Sequence, residues 1–532
     1  MSATARAIHR FWRWRAAPSA RRFAAAMESP ETAQRAVLEH ILRANAPTEF
    51  GRAHDFNRIR CAEDFQAAVP PRDHADHLTW IDAAAAGRPD VLTVGKPAAF
   101  LPTSGTRSGS KLIPWTAALA REFHAALDPW VHGFMRSEPA AWTGAAYWSL
   151  SPPLWPDERT AGGIRVGFAS DAEYLPAALR PLLGRVFAVP PSVALERDPE
   201  AWRLRTLAHL LAADDLTLIS IWSPTFLIAL LEPLSNCWDE LLRNLPAHTS
   251  NRRRKLLHSL TSPAPAAIWP RLAAISCWTD ASARASSQRL AAMFPQARIH
   301  PKGLVATEGV VSIPWPGAAG PVLALRSHFL EFVDDAGDAH PAWRIEEGAC
   351  YSVLLTTGGG LYRYRLHDRI RVTGRHHRCP VLEFLGREGV TSDLCGEKLT
   401  EPFARECLER TLGTPGFALL APATGAPLRY RLWHTAAATD EPESLARALD
   451  EALQQNVHYA HARRLGQLAA PSVTRLACGD AGAWSIYQDV LAARGRRLGD
   501  IKPAALDPHS GWEPAFDPGT GGIMKTPPAE SC

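Results

Sequence analysis

The sequence predicts an α/β fold in two parts. A large N-terminal domain of mixed sheets covered by helices spans residues 1–386, and a smaller α+β domain spans 387–532. Three observations lead there. At 532 residues the chain is too long for one core. From about residue 145, strand-like and helix-period stretches alternate, the mark of sheets covered on both faces. Near residue 386 the alternation gives way to short strands and a well-patterned helix. Hydrophobic residues at 46% supply apolar surface for both parts.

The N-terminus carries Arg6, Arg10, Arg13, Arg15, Arg21 and Arg22 with no acid before Glu28. Such a segment reads as a transit peptide, a membrane-surface helix or a solvated first helix. No apolar signal core follows, and a solvated helix in a cytoplasmic protein is the expectation. "ESPETAQRAVLEHILRANAP" predicts a helix with Ser29 as cap, Pro30 in its first turn and Pro47 beyond its end. Val37, Leu38, Ile41 and Leu42 form its apolar face. Residues 48–103 are polar and proline-punctuated.

Strands are then expected over 145–151, 216–222, 273–278, 322–333 and 351–357, with helices over 204–212 and 224–234. The basic helix 250–260 reads as a solvated charge run. In the second part, strands over 416–423 and 428–434 precede a helix capped near Asp440. Leu445, Ala448, Leu449, Ala452 and Leu453 share one of its faces.

Bulk properties exclude several classes. The 58 basic and 54 acidic side chains leave only +4, too little for a general nucleic-acid binder. Nine cysteines lie scattered without CxxC spacing, so neither a disulfide framework nor a zinc site is indicated, and a reducing compartment fits. The longest uncharged apolar run, between Asp215 and Glu232, contains Pro224 and is too short to insert stably in a bilayer. "DHADH" (73–77) reads as a surface turn rather than a metal site, and "GRHHRC" (374–379) is discounted in the same way. A monomer is the default.

Five stretches carry chemistry. "LPTSGTRSGSKLIPW" (101–115) has glycines that turn backbone N–H groups inward, hydroxyl donors, and positive charge from Arg107 and Lys111. That combination suits a polyphosphate, although it lacks the P-loop spacing. "HPKGLVATEGVVSIPW" (300–315) ends a strand with Thr307, Glu308 and Gly309. "TTGGGLYRYRLHDRI" (356–370) runs from a glycine turn into a strand carrying Tyr362, Arg363, Tyr364, Arg365 and Asp368. In a regular strand Tyr362 and Tyr364 share one face and the arginines the other. "LEFLGREGVTSDLCGEKLTE" (382–401) places Gly386 and Arg387 after a strand, with Lys398 further on. "GTGGIMKTPPAESC" (519–532) holds Lys525.

In this order the stretches resemble the adenylate-forming superfamily, and within it the GH3 acyl-acid amido synthetases, in a bacterial-type version. The resemblance runs from "TEFGRAHDF" (48–56) to the tail, supported by "YWSLSPP", "GGIRVGF", "WSPTFL", "SCWTD" and "GEKLTE". It implies a mobile C-terminal cap, ATP and Mg²⁺, and an AMP-forming ligase. Such enzymes join a small carboxylic acid to an amine, usually an amino acid, through an acyl-adenylate.

Carried over to this chain, Ser104, Gly105, Thr106 and Gly109 match the phosphate loop, with Arg107 and Lys111 adding charge. Thr307 matches the hydroxyl donor to the α-phosphate, and Glu308 the magnesium-binding carboxylate. Tyr362 would wall the nucleotide, and Asp368 would accept hydrogen bonds from the ribose. Gly386 and Arg387 match the junction about which the cap rotates. Lys525 matches the tail lysine that serves adenylation, and Lys398 is a second cap lysine.

Three departures stand out: His367 replaces the usual glycine before the acid, the Ser/Gly loop is one residue shorter than the plant version, and Pro528 stands where arginine is common. Two alternatives stay open, transfer to a thiol such as coenzyme A or a carrier, and a non-catalytic nucleotide-binding homologue. Trp148, Trp222 and Phe226 serve equally as acyl-pocket or core residues.

Overall fold

The computed structural model describes residues 3–103, 111–148, 158–168, 171–174, 179–196, 198–260, 263–388, 390–395, 397–413, 416–436, 441–496, 498 and 501–517. The chain divides into two compact units, Met1–Gly386 with Arg496–Ile501, and Arg387–Gly495 with Lys502 onward.

The Arg-rich start is one helix, Ala3–Glu28. Ile8, Trp12, Ala16, Ala20, Phe23 and Met27 recur at helical spacing and are buried. They pack along the helix Ala117–Ser137. The expectation of a wholly solvated helix is therefore corrected. The period places Trp12 and Phe23 inward and leaves arginines outside, except that Arg15 reaches Asp128 at 3.4 Å. The next helix, Pro30–Asn45, forms as the sequence predicts, although Ser29 makes no side-chain capping bond.

A four-stranded sheet follows chain order: Ala145–Trp148, Leu216–Ser220, Ala274–Ser276 and Arg298–His300. Its neighbours are all parallel. Every residue of Leu216–Ser220 is buried, as a strand covered on both faces requires. In open α/β sheets the carboxyl ends of the strands feed the ligand-binding loops.

A seven-stranded sheet has the order Ala339–Pro341, Phe329–Val333, Cys350–Thr356, Tyr364–His376, Cys379–Arg387, Val322–Leu323, Ser312–Ile313. The single strand expected over 322–333 is thus two. A turn separates them, in which the amide and hydroxyl of Ser327 both donate to the Ala324 carbonyl, at 3.0 and 2.8 Å. The helix expected over 224–234 likewise ends at Leu231, and Pro233 opens a new one.

Arg253 departs from its solvated charge run. It is buried, and its guanidinium donates to the carbonyls of Leu211 at 2.7 Å and Ile268 at 2.8 Å. It thereby satisfies an orphan carbonyl at the end of the helix Pro199–Ala212.

The second unit holds a three-stranded sheet, Ala418–Pro422, Tyr430–His434 and Ser472–Arg475, with one antiparallel and one parallel pairing. Helix Pro442–Leu453 buries Leu445, Leu449, Ala452 and Leu453. Ala448 is exposed, and Asp440 lies outside the described residues.

Candidate active site

The Ser/Gly loop is carried by an antiparallel hairpin, Ala99–Pro102 with Leu112–Trp115. The Thr103 amide donates to the Lys111 carbonyl at 2.9 Å and closes its base. Ser104, Gly105, Thr106, Arg107 and Gly109 lie outside the described residues, as does Lys525. Lys111 is half-buried at the loop's return.

Thr307 and Glu308 do not end a strand. They form the tip of a two-residue turn. Ala306 and Gly309 exchange backbone hydrogen bonds of 2.9 and 3.2 Å, and Val305 bridges Val310 behind them. Glu308 is buried. The turn follows the last strand of the parallel sheet, at its carboxyl edge.

The glycine turn at 358–360 is held from two sides. The Thr116 hydroxyl, just past the hairpin, donates to the Gly358 carbonyl at 2.9 Å. The Gly358 amide donates to the Glu122 carboxylate at 2.8 and 2.9 Å. Glycine is required at 358, since a Cβ would stand 2.5 Å from Glu122 Oε1.

Beyond this turn, Tyr362 is not the nucleotide wall the resemblance implies. Its ring is fully buried and stacks on Phe50 at 4.5 Å. Its hydroxyl donates to the Leu92 carbonyl at 2.6 Å. Burial raises the phenol far above its ordinary range. Under it lies His77, whose Nε2 accepts from the Tyr362 amide at 3.4 Å. His77 and His74 belong to a helix, His74–Ala85, so "DHADH" is a helix start rather than a surface turn.

Arg363 is left-handed at φ 48° and turned inward. Its Nε donates to Glu331 at 3.0 Å, and its Nη1 to the carbonyls of Gln66 and Val69 at 3.2 and 2.8 Å. Tyr364 is buried also, so the regular two-face alternation fails.

A bulge explains where Asp368 sits. Ser352 pairs with Arg369 but Leu354 with Arg365, so two steps of one strand face four of the other. Within the bulge His367 is left-handed at φ 61°. A side chain in this conformation costs about 1–2 kcal/mol, which fits the glycine that the resemblance implies here. The imidazole reaches Asp73 at 2.5 Å, an offsetting contact. Asp368 follows, buried.

Two side chains that no motif announced join these pieces. His328 is fully buried, with Nδ1 2.9 Å from Glu122 Oε2. The far edge of its ring lies against Gly309, where a Cβ would meet Cδ2 and Nε2 at 2.9 Å. The Thr307–Glu308 turn therefore rests on His328, His328 on Glu122, and Glu122 on the Gly358 amide that starts the run to Asp368.

Lys302 lies in the 300–315 stretch, a few residues before the Thr307–Glu308 turn. It is buried at the carboxyl edge of the parallel sheet, with Nζ 2.9 Å from Ser220 Oγ and over the Trp130 and Trp222 rings at 4.9 and 5.0 Å. Nearby Cys277 is a packing residue, its thiol pushed up to about 12 by burial.

Gly386 sits at φ 139°, and the division between the units falls between it and Arg387. Lys398 belongs to the second unit, exposed and left-handed at φ 47° in the connection between Thr391–Ser392 and Leu399–Thr400. Glu397 pins that connection by accepting from the Leu394 and Cys395 amides at 2.7 and 2.8 Å and from the Tyr430 hydroxyl.

The architecture is that of the adenylate-forming ligases. The solved structure of AtGH3.15 acyl acid amido synthetase in complex with 2,4-DB superposes with a TM-score of 0.77 at 17% identity, covering 91% of this chain and 92% of that one. A 2-hydroxyisobutyryl-CoA ligase in the postadenylation state follows at 0.51 and 14%, covering 85% and 87%. In sequence, residues 19–299 match the GH3 family N-terminal domain, 321–387 its central domain and 400–507 its C-terminal domain. The chain belongs to the GH3 family. A curated relative, the probable indole-3-acetic acid-amido synthetase GH3.12 of Oryza sativa subsp. japonica, is 26% identical over 456 residues, 69% of this chain and 71% of its own.

Proposed function

We propose that this chain is an ATP-dependent acid–amido synthetase. It activates a small carboxylic acid as an acyl-adenylate and transfers the acyl group to an amine, with an amino acid as acceptor. One observation carries this reading: the hairpin of the Ser/Gly loop, the Thr307–Glu308 turn and the run to Asp368 are packed against one another through Thr116, Glu122 and His328.

The chemistry follows from the residues. A carboxylate is a poor electrophile because oxide is a poor leaving group. In the first step a carboxylate oxygen attacks the α-phosphorus, the bond to the β-phosphate oxygen breaks, and pyrophosphate leaves. Donors aimed at the α-phosphate stabilise the charge that builds there. The Thr307 hydroxyl and Lys525 are assigned that task, with the backbone and hydroxyls of 104–109, Arg107 and Lys111 on the other phosphates. Asp368 accepts from the ribose hydroxyls.

Glu308 offers hard carboxylate oxygens, which fit Mg²⁺. When bound, the ion neutralises phosphate charge. In the second step the amine nitrogen attacks the acyl carbon, the C–O bond to AMP breaks, and the amine gives up a proton. Gly386 would absorb the backbone change as the second unit reorients between steps, and Lys398 would then approach.

Amine transfer is favoured over thiol transfer because the likeness to the amido synthetase exceeds that to the CoA ligase. The same reading takes the protein as a cytoplasmic monomer.

ATP–pyrophosphate exchange over a panel of aromatic, alkyl and fatty acids tests it, with Lys525→Ala alongside. Acid-dependent exchange lost in the variant is expected, followed by amide formation on adding amino acids. Protein that binds Mg²⁺–ATP yet exchanges with no acid would overturn adenylation. Thioester formation with coenzyme A in place of amide would overturn the acceptor.

A further inference from the structure

The outer face of the first helix plays no part in the site. Arg10, Arg13, Arg21 and Arg22 are exposed there. So are Phe11 at 45% and Trp14 at 72%, their rings stacked 5.9 Å apart. At 100° per residue Arg10, Trp14 and Arg21 fall on one line, with Phe11 and Arg22 beside it, opposite Trp12, Ala16 and Phe23. Exposed Arg136 and Arg326 widen the basic surface. His132 is held below its usual value by burial and then by Arg136, Arg13 and Arg21, and Arg326 by burial and Arg22, so these cations share one neighbourhood. The carboxylates facing the helix are engaged: Asp128 with Arg15, and Glu28 at the far end with His377.

We propose that this face docks the protein on an anionic lipid bilayer. A basic stripe flanking exposed Trp and Phe on a helix that lies flat is the arrangement of an interfacial helix. Trp14 stands on the outermost line of the helix, with Phe11 stacked beside it, rather than in a groove. It gains burial by entering a soft medium, whereas a rigid partner would need a matching pocket. A second copy would set like charges face to face. The inference is independent of the reaction proposed above.

The test is co-sedimentation of the full chain with vesicles of phosphatidylcholine, with and without about one third phosphatidylglycerol. Binding is expected only to the acidic vesicles and should weaken with salt. Phe11→Ser/Trp14→Ser should lower partitioning about tenfold. Replacing Arg10, Arg13, Arg21 and Arg22 with Gln should lower it roughly 100-fold or more. All six side chains are exposed, so unaltered thermal unfolding shows that the variants fold. Wild-type protein that stays in the supernatant with acidic vesicles overturns the proposal. So does a Phe11→Ser/Trp14→Ser variant that binds as tightly as wild type while a DNA duplex competes equally, which would mark a general polyanion surface.

Discussion

Arg363→Met should destabilise the first unit far more than its lost contacts imply. Arg363 and Glu331 form an ion pair with side chains 4% and 1% exposed. The substitution removes the 3.0 Å bond to Glu331 and two bonds to the carbonyls of Gln66 and Val69. It also strands a carboxylate whose one other side-chain partner on that face is Gln66, at 2.9 Å. Breaking one side of a buried pair costs about 3–5 kcal/mol, chiefly from the uncompensated charge. Replacing both partners, as in Arg363→Met/Glu331→Leu, should cost only about 0–2 kcal/mol, since no charge is left buried. The left-handed backbone at 363 is common to both variants and cancels.

The pH dependence separates stranded charge from lost packing. Burial already pushes the Glu331 carboxyl up, and Arg363 is the largest influence pulling it down. Without Arg363 the folded carboxyl titrates well above its unfolded value. The folded state then binds more protons than the unfolded one, and stability falls as pH rises. The slope is at most about 1.4 kcal/mol per pH unit. Urea unfolding of the first unit at pH 5.5 and pH 8 is the assay. Arg363→Met should be weaker at pH 8, while the double variant shows no extra slope. A loss below about 1 kcal/mol, the same loss at both pH values, or a double variant no better than the single would refute the reasoning.

Three further outcomes are expected. Asp368→Ala should raise the apparent KM for ATP about tenfold or more while leaving that for the acid within about twofold; equal changes would remove it from the ribose role. His328→Asn keeps a donor for Glu122 but empties the space under Gly309. It should slow pyrophosphate exchange roughly 10- to 100-fold with little change in thermal midpoint, and undiminished exchange would mean the turn stands without it. Burial lowers His77 and His300 to about 4 each, so both stay neutral when folded. The unfolded chain takes up those protons first, so stability is lost as pH falls from 6.5 toward 4, by no more than about 3 kcal/mol per histidine. His77→Gln should flatten that part of the profile, and an unchanged profile would show that another group drives it.

Elements with a clear period were legible. The helix Pro30–Asn45 and the strand Leu216–Ser220 follow from the spacing of their apolar residues. What the sequence hid was reversal without punctuation. "HPKGLVATEG" reads as a strand that ends at Thr307, Glu308 and Gly309, yet these residues turn the chain back so that Val305 faces Val310. "YRYRLHD" alternates cleanly, yet Arg363 and His367 adopt a glycine-like backbone and reach distant partners, among them Glu331 and Asp73. Tyr362 was misjudged because its partner Phe50 comes from another segment altogether. Glu122 and His328 gave no signal, each being an ordinary residue until the fold brings them together. Lys302 did give one. Only seven of the 58 basic residues are lysines, and four of them, Lys111, Lys302, Lys398 and Lys525, lie in motif segments.

The bulge opposite Val353 also sets how this gene can change. Two steps on one strand answer four on the other, so the facing of Asp368 depends on how many residues lie between Arg365 and Arg369. Because side chains alternate from one residue to the next, losing a single codon there would invert the carboxylate relative to the sheet. Substitutions at 366 and 367 leave the count intact. Drift by replacement is therefore open to this strand, whereas drift in length is closed.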